Sequence, residues 1–146
     1  MLHGMLILKA IDWLRKPYKN CVEYGHNGCS VIITELHTQC IEIPDALGFC
    51  RGKTVLIEAK TSMSDFYADM KKPFRENLYL GVGDLRYYIC ESGLIPENKL
   101  PEKWGLLYVN SVGKVALIRE AEMMKEKNFR AEQIMLLSYI RRTKNK

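Results

Sequence analysis

The chain has 146 residues, 47% of them hydrophobic and 27% charged, with a formal net charge of +5. These values fit one globular domain over residues 1–146, long enough to bury a core without metal or disulfide staples. No apolar run of roughly 18 residues occurs, so no transmembrane helix is expected, and a mildly basic balance is compatible with a nucleic-acid partner.

In chain order, Leu6, Ile7, Ala10, Ile11 and Leu14 recur at helical spacing, so a helix is expected over residues 2–16, ended by Pro17. Lys9 and Asp12 interrupt this apolar opening and no small-residue cleavage site follows, so no signal peptide is expected. Gly25, Asn27 and Gly28 predict a turn within residues 20–30. A first strand starts over residues 31–34 and carries Glu35. A second lies within residues 41–49 with Pro44 inside it, which places it at an edge or bulge. Arg51, Gly52 and Lys53 form a hairpin turn into a third strand over residues 54–60. Ser62 and Asp65 resemble a capping box, opening a helix with Met63, Phe66 and Met70 on one face and Pro73 closing it.

Residues 86–90 read as a buried fourth strand. The intervening helix predicts a right-handed parallel crossover from the third. Residues 92–103 form a loop, and strands over 106–109 and 114–118 flank a turn at 110–113. A last helix is expected over residues 131–141 with Ile134, Leu137 and Ile140 inward, followed by a fraying cationic tail that includes Arg142, Lys144 and Lys146. The expectation is therefore an α/β fold, a mixed sheet of four to six strands flanked by helices.

The chemistry concentrates at the end of the third strand. Alternation along a strand puts Glu58 and Lys60 on one face and Ala59 on the other. Asp45 precedes them by the length of a hairpin, so the hairpin can set it beside Glu58. Two carboxylates and the Ala59 carbonyl make a hard oxygen site for a divalent cation. A lysine beside that site can orient a nucleophile or offset charge on a phosphate. The plain alternative is a salt-bridged sheet edge, but clustered carboxylates repel unless a cation or a proton offsets them.

The Pro44-Asp45 and Glu58-Ala59-Lys60 elements resemble the motif of the PD-(D/E)xK nuclease superfamily. The continuation IEAKTSMSDFYADMKKPFRENLYLGVG, with YYICESGLIPENKLPEKWGLLYVN after it, is similar to the MmcB-like DNA repair protein family, over residues 34–110 or about half the chain. The chain departs from that family in carrying Ile43-Pro44 where the family carries Arg-Ala before the aspartate. The resemblance implies a restriction-endonuclease-like αβββαβ core and a nuclease dependent on Mg²⁺ or Mn²⁺ that acts on DNA in repair or processing. Asp45, Glu58 and the Ala59 carbonyl would bind the metal, Glu35 would add a further acid, and Lys60 would serve catalysis. Non-catalytic nucleic-acid binding on the same fold is the alternative, and a purely structural role is a third reading.

Lys71, Lys72 and Arg75 follow the motif helix and could contact phosphates, since such contacts need only cations and donors. Other signals read as structural. Ser62 and Ser64 are helix caps rather than nucleophiles, and Gly81-Val82-Gly83 is not a phosphate loop. Phe66, Tyr87, Tyr88 and Trp104 are core, His37 is not a ligand, and Glu42 is a surface residue. The five cysteines (Cys21, Cys29, Cys40, Cys50 and Cys90) form no Cys-x-x-Cys pair and match no zinc spacing with His26 or His37. Reduced thiols in a cytoplasmic protein are expected.

Overall fold

The structure is a computed structural model, and it describes residues 1–17 and 28–144. Helix α1 (His3–Arg15) is followed by strands β1 (Val31–Ile33), β2 (Ala46–Cys50) and β3 (Lys53–Ala59). Helices α2 (Met63–Met70) and α3 (Pro73–Glu76) lead to β4 (Leu85–Glu91), β5 (Gly105–Val109), β6 (Val115–Arg119) and α4 (Phe129–Lys144). Single 3-10 turns lie at Leu78–Leu80 and Glu97–Lys99. The six strands form one mixed sheet in sequence order. The β3–β4 and β4–β5 pairs are parallel and the other three antiparallel. The third and fourth strands are thus parallel, as expected for strands joined through a helix.

The core has two layers, one on each face of the sheet. On one, Leu6, Ile7, Ala10 and Leu14 of α1 pack on Val55, Ile57, Ala59, Tyr87 and Ile89. On the other, Phe66 of α2 and Met135 of α4 pack with Leu47, Leu56, Tyr88, Cys90 and Leu106. Strands β3 and β4 are covered on both faces, which explains their nearly continuous apolar runs. Gly52 has φ +80° in the β2–β3 turn, a conformation open to glycine at little cost.

Several elements differ from the sequence expectations. β1 ends at Ile33, so Glu35 lies beyond the strand, in a bend with φ +48°. Pro44 precedes β2 instead of interrupting it, and its carbonyl accepts the Glu35 N–H at 3.0 Å. Pro73 ends one helix and also opens the next, at a first-turn position where its missing N–H costs nothing.

α4 is turned from its expected orientation. Ala131, Glu132, Met135 and Ser138 are buried, while Leu137 and Ile140 are about half exposed. Glu132 fixes this rotation. Its Oε2 accepts from Thr54 Oγ1 and from the Gly83 N–H, both at 2.8 Å, and its Oε1 pairs with Lys127 at 2.9 Å. The helix also runs on to Lys144 where fraying was expected; Arg142 anchors it by donating to the His37 carbonyl at 2.6 Å.

Cys29 and Cys50 are joined in a disulfide, in place of the expected reduced thiols. The register Val31 opposite Phe49 brings the residues flanking that pair together. Cys40 and Cys90 are free among the described residues. Cys21, His26, most of the expected turn at 20–30 and Lys146 lie outside them.

Candidate functional site

The predicted residues converge at the C-terminal end of β3. The β2–β3 register pairs Ala46 with Ile57, and one further step sets Asp45 opposite Glu58. Asp45 Oδ2 accepts the Ala59 N–H at 2.8 Å, tying the acid to the strand end. Glu58 and Lys60 are both buried on the α2 face, and Ala59 is buried under α1, as alternation requires. The Glu58 carboxyl has its proton affinity raised well above the usual carboxylate range. Burial is the main cause, opposed by Arg75 and reinforced by Asp45, which acts through its charge and as a hydrogen-bond partner.

Behind Glu58 lies a buried polar network that the sequence did not reveal. The Arg75 side chain is only 4% exposed. Its Nη1 donates to Glu42 at 2.7 Å, Nη2 to Glu58 at 2.9 Å and Nε to Asp69 at 2.9 Å. Its guanidinium carbon also lies over the Trp104 ring, 5.0 Å from the centroid. Tyr88, opposite Glu58 in the β3–β4 register, donates its hydroxyl to Asp69 at 2.6 Å. Burial alone would raise the Asp69 proton affinity, but Arg75, Lys60 and the Tyr88 hydroxyl outweigh it and hold the carboxyl low.

Two expectations are corrected here. Arg75 is not a surface cation available to phosphate, because the extra turn α3 carries it inward onto three carboxylates. Glu42 is not a surface residue either; besides Arg75 it accepts the Val82 N–H at 3.0 Å. The Lys60 ammonium lies 3.4 Å from Asp69 and 3.9 Å from Asp65. One sequence signal could have found Asp69: it sits three positions after Phe66, on the face of α2 that turns inward. Lys71 and Lys72 are exposed at the C-terminal end of α2, where cations favour the helix dipole. Lys72 approaches Asp69 at 3.5 Å.

In front of Asp45 is a second group, open to solvent. His3 Nε2 lies 3.0 Å from Glu35 Oε1 and 3.5 Å from Asp45 Oδ1. One donor atom from each of the three residues lies within 4.8 Å of the others. The sequence identified Glu35 and Asp45 but gave no cue for His3, which reaches the site from the first turn of α1. Two carboxylate oxygens and an imidazole nitrogen suit a divalent cation. The local charge balance suits one as well. Among the described residues, Glu35 and Asp45 form ion pairs only with His3, whereas Glu42, Asp65 and Asp69 are paired with Lys60, Lys72 and Arg75.

No protein-family model matches the chain, and no curated protein does. Among solved structures it is similar to the SPO1766 protein of unknown function from Silicibacter pomeroyi. The two are 26% identical over 77% of this chain and 76% of that one, with a TM-score of 0.57.

Proposed function

We propose that this protein is a metal-dependent nuclease that hydrolyses phosphodiester bonds in DNA, built on a restriction-endonuclease-like αβββαβ core and serving DNA repair or processing. The observation that carries the reading is the placement of Asp45 against Glu58 and the Ala59 main chain at the end of β3, with Glu35 in front and Lys60 one residue beyond the strand. The element order from α1 to β4 agrees with such a core, apart from the added turn α3. Asp45, Glu35, Glu58 and the Ala59 carbonyl would hold Mg²⁺ or Mn²⁺. The cation would polarise a phosphoryl oxygen and acidify a water. Asp45 is fixed by the Ala59 N–H, and Glu58 is held by Arg75 through one oxygen. Lys60 would orient the attacking oxygen or offset charge on the phosphate.

The ion pairs of Lys60 with Asp69 and Asp65 favour a second reading, a non-catalytic nucleic-acid-binding module, in which the lysine is structural. Cleavage assays separate the two. A panel of DNA substrates should be cut with Mg²⁺ or Mn²⁺ and left intact with Ca²⁺ or chelator. Asp45→Ala should lower both metal affinity and turnover. Full cleavage in excess chelator would sink the metal-dependent mechanism, whereas binding without cleavage under every condition would favour the module.

Substrate holding gives a further expected result. Lys71, Lys72, Arg141 and Lys144 are exposed. If about 3–6 phosphates are neutralised, affinity for duplex DNA should fall with a log–log salt slope of roughly −3 to −5. Lys71→Ala with Lys72→Ala should flatten that slope with little change in stability, because both lie at an exposed helix end. Failure to bind DNA in low salt with Ca²⁺ would remove DNA as the partner.

A further inference from the structure

We infer that His3 is the nitrogen ligand of the cation site and biases it toward the borderline metals Co²⁺ and Zn²⁺ over Mg²⁺ and Ca²⁺. The inference rests on the divalent-cation reading above and adds to it a residue from outside the acid-lysine motif. It is carried by the convergence of three donor atoms from three separate parts of the chain. His3 comes from α1, Glu35 from the bend after β1, and Asp45 from the residue before β2.

One imidazole nitrogen faces two carboxylate oxygens at 3.0 and 3.5 Å. A single N–H can donate well to only one of them, whereas a cation between the three atoms engages all of them. The ring is also presented by a rigid element. Leu6, Ile7, Ala10 and Leu14 lock α1 into the core, so the position of its first turn is set by packing and not by a mobile loop. Glu35 is held in turn by its own N–H on the Pro44 carbonyl.

Asp45 presents one defined oxygen to this site. Its Oδ2 is taken by the Ala59 N–H at 2.8 Å, which leaves Oδ1 facing His3 and Glu35 on the more exposed side. Imidazole is a favourable ligand for first-row transition metals, while Mg²⁺ and Ca²⁺ prefer oxygen, so the donor set selects between the two classes.

The test uses the full chain and bare Co²⁺, Mg²⁺ and Ca²⁺. Wild type, His3→Ala, His37→Ala and Asp45→Ala are titrated by calorimetry and examined as Co²⁺ complexes by proton NMR. In wild type a contact-shifted imidazole N–H resonance is expected. It should vanish in His3→Ala and persist in His37→Ala. Co²⁺ affinity in His3→Ala should drop by at least about tenfold, the loss seen even when an outer partner of a metal ligand is removed. Mg²⁺ affinity should hardly change. If Co²⁺ binds wild type and His3→Ala equally and the shifted resonance survives, the His3 assignment is wrong while the cation site stands. If none of the three cations binds wild type, both fall. His3 is partly exposed, and circular dichroism verifies that its variant is folded.

Discussion

Arg75→Ala should lower the stability of the protein by about 3–5 kcal/mol, the range for removing one partner of a buried ion pair. The guanidinium holds Glu42, Glu58 and Asp69 together, each within 2.9 Å. Without it three buried carboxylates face one another, and Lys60 and Lys72 reach only Asp69. Burial already pushes the Glu58 proton affinity up, and Arg75 is the main group opposing that. Its loss should drive Glu58 toward the protonated form and weaken any cation site that shares it. Arg75→Lys should rescue little, because one ammonium cannot reproduce a planar fork with donors in three directions. Urea denaturation measures the effect. A loss below about 1 kcal/mol, the level of an exposed pair, would show that the network is solvated and of little energetic weight.

The second large effect concerns Lys60. On the nuclease reading, Lys60→Met should cut single-turnover cleavage by about two to four decades, the contribution of one acid-base or electrostatic group. Methionine keeps most of the buried stem and removes the charge. Asp69 retains Arg75 Nε and the Tyr88 hydroxyl, so the fold should survive. Metal affinity, measured calorimetrically, should stay near wild type, which distinguishes a lysine acting on substrate from one supporting the ligands. Unchanged turnover would leave Lys60 with only its structural pairing to α2.

The parts of the fold that were legible in the sequence are those whose pattern is local. Leu6, Ile7, Ala10 and Leu14 declare α1 by spacing, and Ser62 caps α2 by accepting the Asp65 N–H at 3.1 Å. The apolar runs of β3 and β4 mark strands covered on both faces. The site was legible where it follows from alternation and hairpin register, as for Asp45, Glu58 and Lys60. It was illegible where position depends on distant partners. Glu42 reads as a surface acid until Arg75, 33 residues away, folds in to meet it. Arg75 reads as a helix-end cation because nothing local announces the extra turn that buries it. His3 meets Glu35 across 32 residues of sequence and carries no motif of its own.

The rotation of α4 has an energetic meaning of its own. Hydrophobic spacing alone would turn Ile134, Leu137 and Ile140 toward the sheet, and burying each large aliphatic side chain fully is worth about 1.5–3 kcal/mol. The helix forgoes much of that by leaving Leu137 and Ile140 half exposed. What it gains is a ligated Glu132, joined to the starts of β3 and β4 through Thr54 and the Gly83 N–H. Specificity of orientation has been chosen over maximal burial. Glu132, beside the buried Ala131 and Met135, acts as the locating pin of the last helix, and the two half-exposed aliphatic side chains mark the orientation that it overrules.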